Sequence, residues 1–363
     1  MTHQAIRIDA ANAPSGLDER PAWTWLPEEA PLAMPRQSLN SWDATPDVPT
    51  PATSPVNVAG RRLALAGLTA FVTALALIAP MALFARNGFD TLEVVSLCIF
   101  GVLITAIGCW FSSAAIGFWV LLTGREQDDL DFAPHPPEPG QRTALLMPLY
   151  NEDARAAFAR LSVIDSSLAR LGVSDAFDIF VLSDSTRAEA ADLERQAYLG
   201  FRAHAHSRVF YRRREKNIER KCGNLAEWTQ RFGAAYPFML VLDADSTMAG
   251  ETILRMVDAM ERNPGIGLLQ TTPTIIKGQT LFARISQFSV RLYGRVAAAG
   301  LAWWAGSEAS YWGHNAILRT EAFASTAHLP ILPGPEPFGG AILSHDTVRA
   351  ARPGEKTHTP AWP

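Results

Sequence analysis

Cysteine is scarce and unpatterned: Cys98, Cys109 and Cys222 show neither metal-ligand spacing nor a pairing scheme. That excludes a disulfide scaffold and a cysteine-based zinc site, and it suits a reducing compartment. Charge is scarce too. Asp, Glu, Lys and Arg make up 19% of the chain and the net charge is −4, so no global case for nucleic acid exists and no nucleic-acid partner is expected. No apolar core with a small-residue cleavage site follows the N-terminus, so no secretory signal peptide is read there. The shortage of charge is uneven. Residues 63–85 and 94–122 hold no charged side chain at all.

Each of those runs meets the length of about 20 apolar residues that crosses a bilayer. Pro80 lies in the first and is tolerable in a membrane helix, while Trp110 and Trp119 in the second suit an interface. Residues 61–124 are therefore expected to be two transmembrane helices. Arg61 and Arg62 precede the first span, Arg86 separates the two and Arg125 follows the second, which favours both ends in the cytoplasm. Residues 1–60 are rich in Pro, Ala, Ser and Asp without a sustained apolar period, and are expected to form a mostly disordered cytoplasmic arm.

From about residue 142 the pattern changes. Residues 144–149, 177–182, 209–211, 238–242 and 266–270 read as short apolar strands. Helical stretches at 152–171, 186–204, 224–235 and 250–263 separate them. The alternation predicts an α/β domain with a largely parallel sheet and helices on both faces. Ligands of such sheets collect at the carboxyl ends of the strands, which directs the search for chemistry.

Four polar clusters stand out. Pro148-Leu149-Tyr150-Asn151-Glu152 ends the first strand and opens a helix, where an anionic ligand could bind, or where Asn151 simply caps the turn. Leu182-Ser183-Asp184-Ser185 ends the second; Asp184 can accept from a base or ribose, or serve as an N-cap. In Val241-Leu242-Asp243-Ala244-Asp245-Ser246, two carboxylates one residue apart at a strand end can share a divalent cation. Oxygen ligands suit Mg²⁺ or Mn²⁺, and such a metal would neutralise a diphosphate leaving group. Two solvated carboxylates capping a helix are the competing reading. The fourth cluster, Leu343-Ser344-His345-Asp346, follows Pro337-Phe338-Gly339-Gly340. Either Asp346 or His345 can take a proton from an acceptor hydroxyl, and a helix cap explains the same residues.

Two further stretches carry less chemistry. Arg212-Arg213-Arg214-Glu215-Lys216 and Arg220-Lys221-Cys222-Gly223-Asn224 offer cations for phosphates or anionic lipid, although most charges in such runs are solvated or self-paired. Lys221 alone is singled out as a ligand contact, because Gly223-Asn224 place it at a turn into a helix. Residues 281–298 are amphipathic, with Phe282, Ile285, Leu292 and Val296 on one face and Arg284, Arg291 and Arg295 in a separate stripe. They fit a membrane interface or packing against the sheet. Trp303, Trp304, Tyr311 and Trp312 suit sugar rings, an interfacial belt or core equally.

Taken in order, these clusters resemble glycosyltransferase family 2. The resemblance rests on Ala30-Pro31-Leu32-Ala33-Met34-Pro35, Met147 to Glu152, Asp243-Ala244-Asp245-Ser246, Phe338-Gly339-Gly340 and Ser344-His345-Asp346. It implies a GT-A fold at residues 140–346 and inverting glucosyl transfer from UDP-glucose to a growing glucan acceptor. By the same resemblance Asp184 and Lys221 hold the donor, Asp243 and Asp245 hold the metal and diphosphate, and Asp346 is the general base. Asn151 and Glu152, at the end of the first strand, are expected to join the donor contacts. The lipid bilayer would be the bacterial inner membrane, with the catalytic domain cytoplasmic. Members of the family continue into a Gln-x-x-Arg-Trp motif and further spans, whereas residues 347–363 read as an irregular tail. The chain is thus expected to end short of the family pattern. Alternatives are a non-catalytic nucleotide-sugar sensor or a synthase of another β-glycan.

Overall fold

The computed structural model describes residues 26–36, 58–86, 88–124, 133, 136, 138–306, 311–335, 339–341 and 357–358. Two long apolar helices come first, α1 (Val58–Phe84) and α2 (Thr91–Leu122). Both are long and apolar enough to cross a membrane, and large side chains such as Phe71, Ile78, Val102 and Trp110 are exposed along them. Such a surface is unfavourable in water and indifferent in lipid. The second helix starts ahead of its apolar run because Asp90 and Glu93 form a capping box. Asp90 accepts from the Glu93 amide at 2.7 Å, and Glu93 accepts from the Asp90 amide at 3.2 Å.

The α/β domain follows in the order β1 (Thr143–Leu149), α3 (Ala154–Arg170), β2 (Phe177–Ser183), α4 (Ala188–Arg202), β3 (Arg208–Arg213), α5 (Arg220–Phe232), β4 (Phe238–Val241), α6 (Gly250–Arg262), β5 (Leu268–Gln270), α7 (Leu281–Ala305), β6 (Ala316–Arg319) and α8 (Thr320–Thr326). The sheet order is β3-β2-β1-β4-β6-β5, and the two-residue β9 (Thr357–His358) runs parallel to β5 at the edge. Strands β1 to β4 are parallel. Strand β6, which the sequence pattern did not reveal, enters antiparallel between β4 and β5. A small separate ladder joins β7 (Ile331–Leu332) to β8 (Gly340–Ala341).

Successive side chains of a strand point to opposite faces, and β1 shows the result. Leu145, Met147 and Leu149 join Phe158, Ile164, Tyr198 and Val257 in one apolar cluster, with α3, α4 and α6. Ala144 and Leu146 join Trp228, Phe232 and Phe323 in a second, with α5 and α8. Helices cover both faces, which is why these strands read as nearly continuous apolar runs. At the edge opposite the strand ends, the fully buried Asp178 accepts from Arg142 at 3.1 Å and from Tyr236 at 2.7 Å, and it pairs with Arg208.

Residues 26–36 depart from the expected disordered arm. Ala30 donates to the Arg231 carbonyl at 2.9 Å and accepts from Ala234 at 3.0 Å, and Glu29 pairs with Arg231 at 2.6 Å. Met34 is buried in the second cluster. This segment precedes α1 in the chain, and its partners follow α2.

The helix α7 packs on α1 and α2; of the two placements open for residues 281–298, packing against the sheet is not the one observed. Backbones meet directly at its crossing with α2. A Cβ on Gly117 would lie 2.0 Å from the Val296 carbonyl oxygen, and one on Gly300 would lie 2.0 Å from that of Ser113. Small residues permit this approach, as they do between membrane helices. Trp304 donates to Ser113 Oγ at 3.0 Å. Arg61 and Arg62, read from sequence as flanking charges, lie inside α1 and donate to the carbonyls of Trp303 at 3.1 Å and Trp304 at 3.3 Å. They cap the C-terminus of α7 with the favourable sign of charge. The N-terminal half of α7 exposes Leu281, Phe282, Ile285, Phe288 and Leu292 beside Arg284, Arg291 and Arg295.

Candidate active site

The carboxyl ends of β1, β2 and β4 open onto one cleft of about 430 Å³, whose lining includes Tyr150, Glu152, Asp184, Asn217, Arg220, Lys221 and Asp243. Of the residues singled out in the sequence, Glu152, Asp184, Lys221 and Asp243 therefore come together. Asp245 is exposed just past the strand end, and Asp346 lies outside the described residues.

Asn151 does not line the cleft, and it does not cap α3. That cap is Asp153, which accepts from the Ala156 amide at 3.2 Å. Asn151 sits at φ 55°, a left-handed conformation that Asn tolerates better than most residues. The turn aims its side chain at the neighbouring loop, where Oδ1 accepts from the amides of Thr186 at 3.2 Å and Arg187 at 3.0 Å. Its own amide donates to Ser185 Oγ at 2.7 Å. Ser185 in turn donates to Glu194, which is fully buried and also accepts from the Tyr211 hydroxyl at 3.0 Å. A carboxylate only accepts, so Glu194 orients the Ser185 hydroxyl and leaves its oxygen free for Asn151. This clasp joins the loop carrying Glu152 to the loop carrying Asp184. Nothing in the sequence marks Glu194, one more charge on an amphipathic helix.

Asp184 is no helix cap either. It is buried and held in a two-point pair by Arg214, with Nε to Oδ1 at 2.7 Å and Nη2 to Oδ2 at 2.8 Å. Arg214 reaches on to the carbonyls of Ile218 at 3.1 Å and Arg220 at 2.8 Å, and so pins the loop that walls the cleft. In the sequence it was indistinguishable from its basic neighbours, because which arginine turns inward depends on the strand's register. The same loop needs Gly223. A Cβ there would lie 2.1 Å from the Ile218 carbonyl oxygen, and this tight return lets α5 begin at Arg220, before the helix start expected at residue 224.

Lys221 lies in the first turn of α5, pairs with Asp243, and donates to the Gly313 carbonyl at 2.8 Å. Burial raises the Glu152 carboxyl above its ordinary range; the Tyr150 backbone bond opposes this, and the negative field of Asp243 and Asp245 adds to it. Among the described residues no three His, Cys, Asp or Glu side chains form a ready metal cage. A carboxylate pair whose field reaches Glu152 fits a divalent ion that also takes phosphate oxygens, as Mg²⁺ commonly does.

A raised carboxyl pKa in the folded state means that the native protein holds this proton more tightly than the unfolded chain. The Glu152 contribution favours folding at low pH and is lost as pH rises through the raised value. Glu152→Gln is expected to remove that slope, seen as a smaller fall in Tm between acidic and neutral pH.

The topology and the acidic cleft are those of an α/β domain with a ligand site at the carboxyl ends of its parallel strands. Residues 144–326 match the family described as Glycosyl transferase family 2, and the chain belongs to that family. It is 50% identical over 328 residues to the protein named "Glucans biosynthesis glucosyltransferase H" of Caulobacter vibrioides, covering 90% of this chain and 49% of that one. A relative of the same name from Xanthomonas oryzae pv. oryzae is 49% identical over 330 residues, covering 90% of this chain and 51% of the relative. The chain thus spans about half the length of the curated relatives it matches. Among solved structures, the mannosyltransferase PcManGT from Pyrobaculum calidifontis, in complex with GDP-Man and Mn²⁺, superposes with a TM-score of 0.42 at 17% identity, covering 71% of this chain and 65% of that one.

Proposed function

We propose that this chain carries the donor site of an inverting membrane glucosyltransferase that moves glucose from UDP-glucose to a growing β-glucan, the backbone of osmoregulated periplasmic glucans. The observation that carries this is the cleft where Asp184, Lys221 and Asp243 meet at three strand ends, in a chain half-identical to relatives named for glucan biosynthesis. Asp184, fixed by Arg214, keeps outward lone pairs for the ribose or uracil. Lys221, held beside Asp243, helps to fix the donor. Asp243 and Asp245 would hold Mg²⁺ or Mn²⁺, which when bound supplies charge to the departing diphosphate. Asn151 acts through the clasp, holding Glu152 and Asp184 at the separation the donor needs. Asp346 is the general base for the acceptor hydroxyl in this reading.

The membrane assignment extends the same proposal. Helices α1 and α2 cross the bacterial inner membrane, and the domain sits on its cytoplasmic face. The exposed apolar residues of α7 with their flanking arginines suit the headgroup layer. Titrating the purified chain with UDP-glucose, with and without Mn²⁺, tests the function. Metal-dependent binding is expected, together with release of UDP when an acceptor glucan is added. A chain that neither binds nor consumes UDP-glucose with metal present would overturn the reading.

A further inference from the structure

We propose that Arg220 is the side chain that grips the diphosphate of the bound donor, an assignment that rests on the donor reading above and deepens it. The cleft lining holds two cations, Arg220 and Lys221, against the carboxylates of Glu152, Asp184 and Asp243. Two of those carboxylates already have partners: Arg214 answers Asp184, and Lys221 answers Asp243. Of the other cations in the same basic segment, Arg213 and Lys216 are exposed outside the cleft lining, and the remaining two are turned inward. Arg212 is buried on Glu227 and Asn224, and Arg214 is buried on Asp184. Arg220 lines the cleft, is exposed, and makes no ion pair among the described residues. Of the two cations in the lining, it is the one left to meet an incoming anion.

The backbone around it is held in a conformation that costs energy. Glu219 at φ 56° and Arg220 at φ 49° are successive non-glycine residues in the left-handed region. Arg214 clamps the Arg220 carbonyl at 2.8 Å while its other bonds fix Asp184. One buried arginine therefore sets both the wall expected to meet the nucleoside and the backbone that presents Arg220. A guanidinium offers a planar fork that matches two phosphate oxygens, which the ammonium of Lys221 does not. Lys221 is in any case engaged with Asp243 and Gly313. The geometry divides the labour: Asp184 faces the nucleoside, and Arg220 faces the phosphates.

The test is calorimetric titration of the full chain, in detergent with Mg²⁺, using UDP, inorganic pyrophosphate and uridine as separate probes. Arg220→Gln is expected to weaken UDP and pyrophosphate about tenfold, the usual order for one charge-assisted contact, and to leave uridine unchanged. Arg220→Lys should recover part of the loss, since it restores charge without the fork. The side chain is exposed, so both variants should melt as the parent does. Equal pyrophosphate affinity in parent and Arg220→Gln would overturn the assignment, as would a parallel loss of uridine binding or a parent that binds no pyrophosphate. Pyrophosphate held through Arg220 by a parent that ignores UDP would sustain the anion grip and remove the UDP-sugar reading instead.

Discussion

Asp243→Asn is expected to remove the metal-dependent part of UDP-glucose affinity, a loss on the order of a hundredfold or more. The substitution keeps the shape of the side chain and deletes its charge, so the sheet and the turn after β4 should persist. Two effects act together. A neutral amide is a poor ligand for a hard cation, and Lys221 loses the carboxylate with which it pairs. Asp245→Asn should cost less, because Asp245 is exposed beyond the cleft whereas Asp243 lines it. Titrating each variant with UDP-glucose, with and without Mn²⁺, separates the cases. Metal dependence surviving intact in Asp243→Asn would remove this residue from the metal site.

The second large effect belongs to stability. Gly300→Ala and Gly117→Ala each place a methyl group where a backbone carbonyl oxygen already sits, 2.0 Å from the new Cβ in both cases. Backbone cannot yield as a flexible side chain does, so α7 and α2 must separate. With that shift go the Trp304 bond to Ser113 and the contacts of Arg61 and Arg62 with the end of α7. A cost of about 3 kcal/mol is expected, at the upper end for overpacking, read as a lower Tm in detergent. Gly67→Ala is the control, since a Cβ there meets nothing within 4 Å, and it should melt like the parent. If all three variants melt alike, the α2–α7 crossing does not contribute to the stability of the fold.

Much of this molecule could be read before it was seen. The strands at 144–149 and 177–182 were visible because a sheet covered on both faces needs apolar residues at every position. The amphipathic helices announced themselves by period. Glu152, Asp184 and Asp243 were singled out by one rule, that ligands gather at the carboxyl ends of parallel strands. Lys221 was singled out by the turn that Gly223-Asn224 make into a helix, and the structure brings the four to one cleft. Reading failed where the partner was distant in sequence. Strand β6 is four residues long and owes its place to ladders with β4 and β5. Asn151 read as a ligand contact or as a cap for its own helix, because local sequence cannot show that its turn points the side chain at residues 186 and 187.

The sequence by itself determined that two helices are long and apolar enough to cross a membrane, the α/β class of the domain and the strand ends where its acids lie. These follow from length, period and apolar runs, which are local quantities. Tertiary structure alone decided which basic residue holds Asp184, that Glu194 is buried behind the two cleft loops, and that α7 packs on the two long apolar helices. Each of those outcomes depends on the close approach of groups far apart in the chain, where one carbonyl oxygen or one missing Cβ settles which contact forms.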